Sequence, residues 1–445
     1  MPKIRYLQLA DTIATRIHEG DLAPGEKLPT HRQFAQDHGV ALATATRAYR
    51  ELEDRGLIVG EHGRGVFVKD PSVPLTLGVE QTAADGLVDL VFNMPGADCD
   101  VEFLRSGLKR IAAAGDLEAM LRYQPHGGRP HERKILADHL AKTLGAFSWD
   151  QFLIVSGAQH GLSTVVLALF KTGEVVATDA LTYTGFKTVA ALHGLNLTAV
   201  ASSEGMMDPD DLDRLCRCGK IRAVYLMPTV HNPLGTVMSE ERRRQIVAVA
   251  RRHDLIIIED AAYAFLEPCP PASLLEFAPE RTFHVGGFSK SIGTGLRLGY
   301  VIAPKDHVDE LSLAIRATTW NVPAIISALI IGWIEDGTLE RSEENRRRDG
   351  AYRQQICREH LQGITVISHR NASFAWLPLD SRQRAEPIIT RLIAKGFAVS
   401  GGSAFAVTEA VPQALRVAFG GVKEDQLRKA LDCVREEMLR AQEDL

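Results

Sequence analysis

The segment GGFSKSIGTGLRLGY (286–300) sets Lys290 on a small-residue turn just past the apolar run TFHVGG, with Arg297 seven residues later. An amine in such a pocket can condense with an aldehyde to a Schiff base, and desolvation eases the loss of its proton. A guanidinium close by suits the fork geometry of a phosphate. Three weaker signals accompany this segment. SGAQH (156–160) follows FLIVS and opens a helical pattern, so its turn presents N–H groups to an anion, as many strand-to-helix turns do. Asn232, in HNPLG, follows AVYLMP, where a plain turn former fits equally well. The run LIIIED ends at Asp260, with Tyr263 three residues on. A carboxylate there either caps the next helix or holds a pyridine nitrogen protonated.

Positioning these residues requires an α/β scaffold. From about residue 87 the runs FLIVS, EVVATD, LTAVAS, AVYLMP, LIIIED and TFHVGG alternate with amphipathic stretches, the pattern of a mainly parallel sheet. A different unit precedes them. Tyr6, Leu9, Ile13 and Ile17 keep helical spacing up to Gly20, and HRQFAQDHG and LATATRAYRELEDRG follow as second and third helices. LIVGEHGRGVFV then reads as a hairpin with a basic, Gly-rich tip. The aperiodic stretch 70–86 is the expected linker between a unit at 1–69 and a domain at 87–445. Within the latter, a large subdomain at about 100–305 and a small α+β subdomain at about 306–445 are expected.

The chain of 445 residues carries a net charge of −5, which gives no global case for nucleic acid or membrane. Residues 1–69 hold ten Lys/Arg against nine Asp/Glu, so the helix pattern there must carry any DNA-binding claim. The six cysteines are scattered without zinc-ligand spacing, and no metal site is expected. The longest apolar run, AIISALIIGWI, is too short to span a bilayer, and a cytoplasmic, membrane-free protein is expected.

Helix, turn, helix and basic-tipped hairpin outline a winged helix-turn-helix, whose third helix enters the major groove by its N-terminal end. Thr44, Thr46 and Arg47 stand there, while Arg32 and the wing residues His62, Gly63 and Arg64 suit phosphate or minor-groove contacts. The L-P-x-x-R turn, T-x-x-x-A-Y helix, R-G-L step and H-G-x-G wing resemble the GntR-type domain along nearly its full length. Leu42 departs from it, standing where that family commonly carries an arginine.

Residues 87–445 resemble the fold-type I pyridoxal-phosphate aminotransferases, which show the same spacings of 28 from Asn232 to Asp260 and three from Asp260 to Tyr263. The resemblance implies that Lys290 forms the Schiff base with pyridoxal 5'-phosphate and that Asp260 pairs with the pyridine nitrogen. Asn232 and Tyr263 would hydrogen-bond the ring hydroxyl. Gly157, Ala158, Gln159, Ser289 and Arg297 would hold the phosphate, and Tyr183 would stack on the ring. Taken alone, Tyr183 is as readily a core ring. Tyr123 matches a tyrosine that reaches the partner subunit's phosphate. Arg416, in ALRVAFGG, matches an arginine that grips a substrate carboxylate, against the plainer reading of a strand arginine in an edge ion pair. Gly287 departs from the pattern where a Ser or Thr often donates to the phosphate.

The two parts in this order resemble the MocR subfamily of bacterial regulators. That resemblance implies a head-to-tail homodimer on double-stranded operator DNA, responding to an amino acid or related amine. It implies a regulator rather than an enzyme, with residual transaminase activity allowed by the retained residues. Two alternatives share the motifs: an aminotransferase with genuine turnover, and a regulator that senses the cofactor itself.

Overall fold

The computed structural model describes residues 5–18, 20–23, 25–54, 57–61, 65–68, 87–94, 100–114, 117–203, 205–380, 382–408 and 410–443. The linker at 70–86 and the wing residues His62, Gly63 and Arg64 lie outside the described residues.

The N-terminal unit consists of helices α1 (Arg5–His18), α2 (His31–Asp37) and α3 (Leu42–Asp54). Strands Ile58–Glu61 and Gly65–Val68 pair as an antiparallel hairpin, and Lys27–Leu28 adds to the latter strand. The apolar stripes of α1 and α3 meet in one core, where Ala10, Ile13 and Ile17 pack with Ala45, Ala48, Tyr49 and Leu52. Thr30 caps α2 by accepting from the Gln33 N–H at 3.2 Å, and the Tyr49 hydroxyl donates to the Pro29 carbonyl at 2.7 Å. These two bonds fix the turn that delivers α3.

All six strand candidates of the second domain join one seven-stranded sheet. Its spatial order is Phe152–Val155, Gly299–Ile302, Thr282–Gly287, Ile256–Asp260, Ile221–Leu226, Val175–Asp179 and Asn196–Val200. Only Gly299–Ile302 runs antiparallel to its neighbours. Alternate residues of each strand enter opposite cores. Val176, Tyr225 and Ile258 pack against the helix Ala158–Leu169, whereas Ala177, Val224 and Ile257 pack against Glu240–Arg252. Both faces are covered, so these strands read as unbroken apolar runs.

A smaller antiparallel sheet joins Phe374–Pro378, Ala414–Ala418 and Ser400–Gly401, with Thr338–His360, Ala385–Ala394 and Glu424–Glu443 against it. Leu311, Ile315, Leu329 and Trp333 belong to cores of the large sheet although they follow residue 305. Conversely, Val88–Asp89 pairs with Phe397–Ala398, and Leu90 lies in the small core. The strand Val88–Asp89 is therefore part of the small unit. Among the described residues, no helix is long and apolar enough to cross a membrane.

Candidate functional site

In a parallel sheet the strands end along one edge, and the following turns converge there. Asp260 is the last residue of the central strand Ile256–Asp260. It is buried, and its carboxylate accepts from the Ala262 N–H at 3.0 Å and the Tyr225 hydroxyl at 2.8 Å. Burial pushes its carboxyl above the usual range, against the pull of those two donors. Tyr263 follows on the turn, and the Lys290 ammonium lies 5.9 Å from its ring centre.

Neighbouring turns supply the rest. Asn232 is buried, and its Oδ1 has no hydrogen-bond partner among the described residues. Gln159 donates from Nε2 to the Gly185 carbonyl at 2.8 Å, leaving its buried Oε1 without a partner among the described residues. Tyr183 precedes the helix Thr184–Leu192, and burial followed by the nearby Asp260 pushes its phenol up.

Gly157 opens the helix Ala158–Leu169 with φ +81° and ψ 163°, a conformation that glycine alone adopts readily. A Cβ on Gly157 would stand 2.7 Å from Arg297 Nη2, so the guanidinium is seated against this turn. Arg297 Nη1 lies 3.4 Å from Ser289 Oγ. Two donor side chains and a helix N-terminus thus face one cradle. The departure at Gly287 has a steric reason: a Cβ there would lie 3.2 Å from the Leu298 carbonyl oxygen and 3.3 Å from the Ala158 nitrogen.

Arg416 comes from the middle strand of the small sheet, not from an edge. It is 3% exposed, donates from Nη1 to the Val91 carbonyl at 2.6 Å and lies beside Tyr263. Its Nε is buried without a partner, and no acidic side chain pairs with it among the described residues. Burial pulls its pKa down. The edge ion pair is therefore not what this structure builds.

Two features escaped the sequence reading. Tyr225, inside the run AVYLMP, is one; a polar tip in an otherwise apolar strand was its available signal. The other is the segment Leu90–Asn93. The Lys290 ammonium donates to the Asn93 carbonyl at 2.8 Å, the Asn93 amide donates to the Tyr263 hydroxyl at 3.3 Å, and the Ala418 N–H donates to the Leu90 carbonyl at 2.7 Å. With the bond from Arg416 to Val91, residues 90–93 are held by Lys290, Tyr263, Arg416 and Ala418.

Tyr123 lies apart from this cluster in chain order and is 86% exposed, its ring 5.5 Å from that of Trp320. On the N-terminal unit, Arg32, Thr46 and Arg47 are exposed and Thr44 is half-buried. Leu42 is 47% exposed at the start of α3.

The pattern of class I and II aminotransferases matches residues 92–434. The chain belongs to that family. Residues 5–68 match the bacterial regulatory proteins of the gntR family, so a GntR-type unit precedes the aminotransferase-like domain. The arrangement is that of the MocR subfamily. An uncharacterized HTH-type transcriptional regulator, YdeF of Bacillus subtilis, is 30% identical over 93% of this chain and 89% of its own. PdxR of Corynebacterium glutamicum, an HTH-type pyridoxine biosynthesis transcriptional regulator, is 26% identical over 95% of this chain and 94% of its own. A kynurenine aminotransferase of Pyrococcus horikoshii, solved in complex with PMP, matches 81% of this chain and 92% of its own. Its TM-score is 0.75 at 23% identity, a likeness of fold.

Proposed function

We propose that this protein is a DNA-binding transcription regulator that holds pyridoxal 5'-phosphate on Lys290 and responds to an amino compound. Its units are 1–69 for DNA, 70–86 as linker and 87–445 as sensor. The orphaned Asn232 Oδ1 and Gln159 Oε1, the buried Asp260 and the cradle of Gly157, Ala158, Ser289 and Arg297 fit that cofactor. Bound there, it supplies an aldehyde for amine exchange and an electron-poor ring. Asp260 would hold the ring nitrogen, Asn232 and Tyr263 the ring hydroxyl, and Tyr183 one ring face. Arg416, buried and without an acidic side chain at ion-pair distance among the described residues, suits the carboxylate of an amino acid.

One observation carries the regulatory reading. The first segment after the linker is gripped by the groups that would take up cofactor and effector, Lys290 and Arg416. Drawing the amine or the guanidinium toward a ligand removes a donor from Asn93 or Val91. A ligand that competes for these donors favours one placement of the linker end over another, which is the differential interaction a switch requires.

On DNA, Arg32, Thr44, Thr46, Arg47, His62, Gly63 and Arg64 form the proposed reading face. A head-to-tail homodimer would let the exposed Tyr123 reach the partner's cofactor. With no membrane-spanning helix among the described residues, a cytoplasmic site of action is in keeping with DNA binding.

Footprinting of the full chain on DNA upstream of its own gene, with and without pyridoxal phosphate and a panel of amino acids, tests this. A protected region that changes with cofactor and amine is expected; absence of protection overturns the reading. Response to cofactor alone, with no effect of any amine, favours a cofactor sensor, in keeping with the relative that regulates pyridoxine biosynthesis. Fast repeated turnover with a keto acid favours an aminotransferase, in which Lys290, Asp260, Tyr263 and Arg416 would serve as the reacting and binding groups.

A further inference from the structure

Tyr225 lies in the centre of the large sheet, opposite Ile258 on one neighbouring strand and Thr178 on the other. It is fully buried, and its ring lies flat on Phe186, with centroids 3.7 Å and planes 4° apart. This stack and the strand backbone leave the phenol a single placement, with its hydroxyl 2.8 Å from Asp260 Oδ2. The other carboxylate oxygen takes the Ala262 N–H at 3.0 Å. Asp260 is thereby held by one donor on each oxygen, one from the neighbouring strand and one from the turn that follows Asp260.

We propose that Tyr225 is a positioning residue for Asp260: its hydroxyl orients the carboxylate and keeps it anionic toward a protonated heteroaromatic nitrogen. The inference rests on the reading of Asp260 as the partner of the cofactor's ring nitrogen. Physically, burial disfavours the charged carboxylate, and a donor at 2.8 Å opposes that. The phenol cannot itself become a competing anion, because burial and then Asp260 push its pKa far up. Among the described residues, His284, Tyr183 and Tyr300 also act on Asp260, Asp179 acts on Tyr225, and Tyr263 acts on Tyr183. Tyr225 is the phenol that hydrogen-bonds the carboxylate.

Loss of the hydroxyl makes Asp260 a stronger base, which draws the shared proton away from the ring nitrogen. A less positive ring raises the pH at which the bound cofactor's visible band titrates. Tyr225→Phe keeps the ring and its stack, so it isolates the hydroxyl. The test reconstitutes full-length wild type, Tyr225→Phe and Asp260→Asn with ring-15N-labelled pyridoxal phosphate. It reads the band's pH midpoint and the ring 15N shift.

For Tyr225→Phe the midpoint should rise by about one pH unit and the 15N signal should move toward unprotonated pyridine. Replacing Tyr225 by 3,5-difluorotyrosine, a stronger donor, should move both in the opposite direction, and it serves if the phenylalanine variant does not fold. Wild-type values in both Tyr225 variants, with Asp260→Asn shifted, would overturn this proposal alone. Wild-type values in Asp260→Asn would instead remove the reading of Asp260 on which it rests.

Discussion

Substitution of Lys290 separates two roles that one amine plays. In the structure the ammonium donates to the Asn93 carbonyl at 2.8 Å, six residues beyond residue 87, where the described segment begins. A hydrogen bond from a charged donor contributes roughly 1.5–3 kcal/mol, or about 10- to 150-fold in an equilibrium. If this bond is broken when the amine is taken up by cofactor, it bounds the change in DNA affinity. Lys290→Ala without cofactor should therefore bind operator DNA like cofactor-saturated wild type, and added pyridoxal phosphate should leave it unchanged. Lys290→Arg keeps a cationic donor but cannot condense with the aldehyde, so it should stay at the affinity of cofactor-free wild type. Fluorescence anisotropy of labelled upstream DNA at one fixed salt concentration measures all five states. Equal affinities for the Ala and Arg variants would refute the reasoning. So would a cofactor effect on wild type far above about 150-fold, because the bond cannot supply it.

Other expected outcomes concern separate parts of the molecule. Arg32→Ala and Arg64→Ala should each weaken DNA binding and reduce the slope of log K against log salt by about 0.9 for each phosphate no longer neutralised, as salt titrations would show. Gly157→Ala places a side chain at φ +81° and 2.7 Å from Arg297, so calorimetry should show a loss of roughly 1–3 kcal/mol and absorbance titration a weaker hold on the cofactor. Burial pushes the Asp179 carboxyl up to about 7, so the folded state holds its proton more tightly than the unfolded chain. Stability from that proton is present at low pH and falls as pH rises from about 4 through about 7. Asp179→Asn should flatten this fall by up to about 1.4 kcal/mol per pH unit in denaturant titrations between pH 5 and 7, and parallel curves would remove the assignment.

The local parts of this protein were legible in its residues. Six apolar runs became six strands because strands covered on both faces need no alternation to be recognised. Lys290, Asp260, Asn232 and the Gly157 turn were legible for a related reason. Each sits just past such a run, and strand ends of a parallel sheet share one edge. The antiparallel strand Gly299–Ile302 was not separated from the Gly-rich turn before it, since only its pairing with Thr282–Gly287 and Phe152–Val155 defines it.

Contacts across long stretches of chain were beyond the reach of pattern. The hydroxyl of Tyr225 meets Asp260 across 35 positions, the amine of Lys290 meets Asn93 across 197, and the guanidinium of Arg416 meets Val91 across 325. Periodicity and motif spacing report what neighbouring residues do to one another. They decided the two units, the strands and the turns that carry the chemistry. Which strand lies beside which, and therefore which buried donor satisfies which buried acceptor, was decided by packing both sheet faces at once. That packing put Val88–Asp89 in the small unit, and Val91 and Asn93 against the arginine and lysine that would read a ligand.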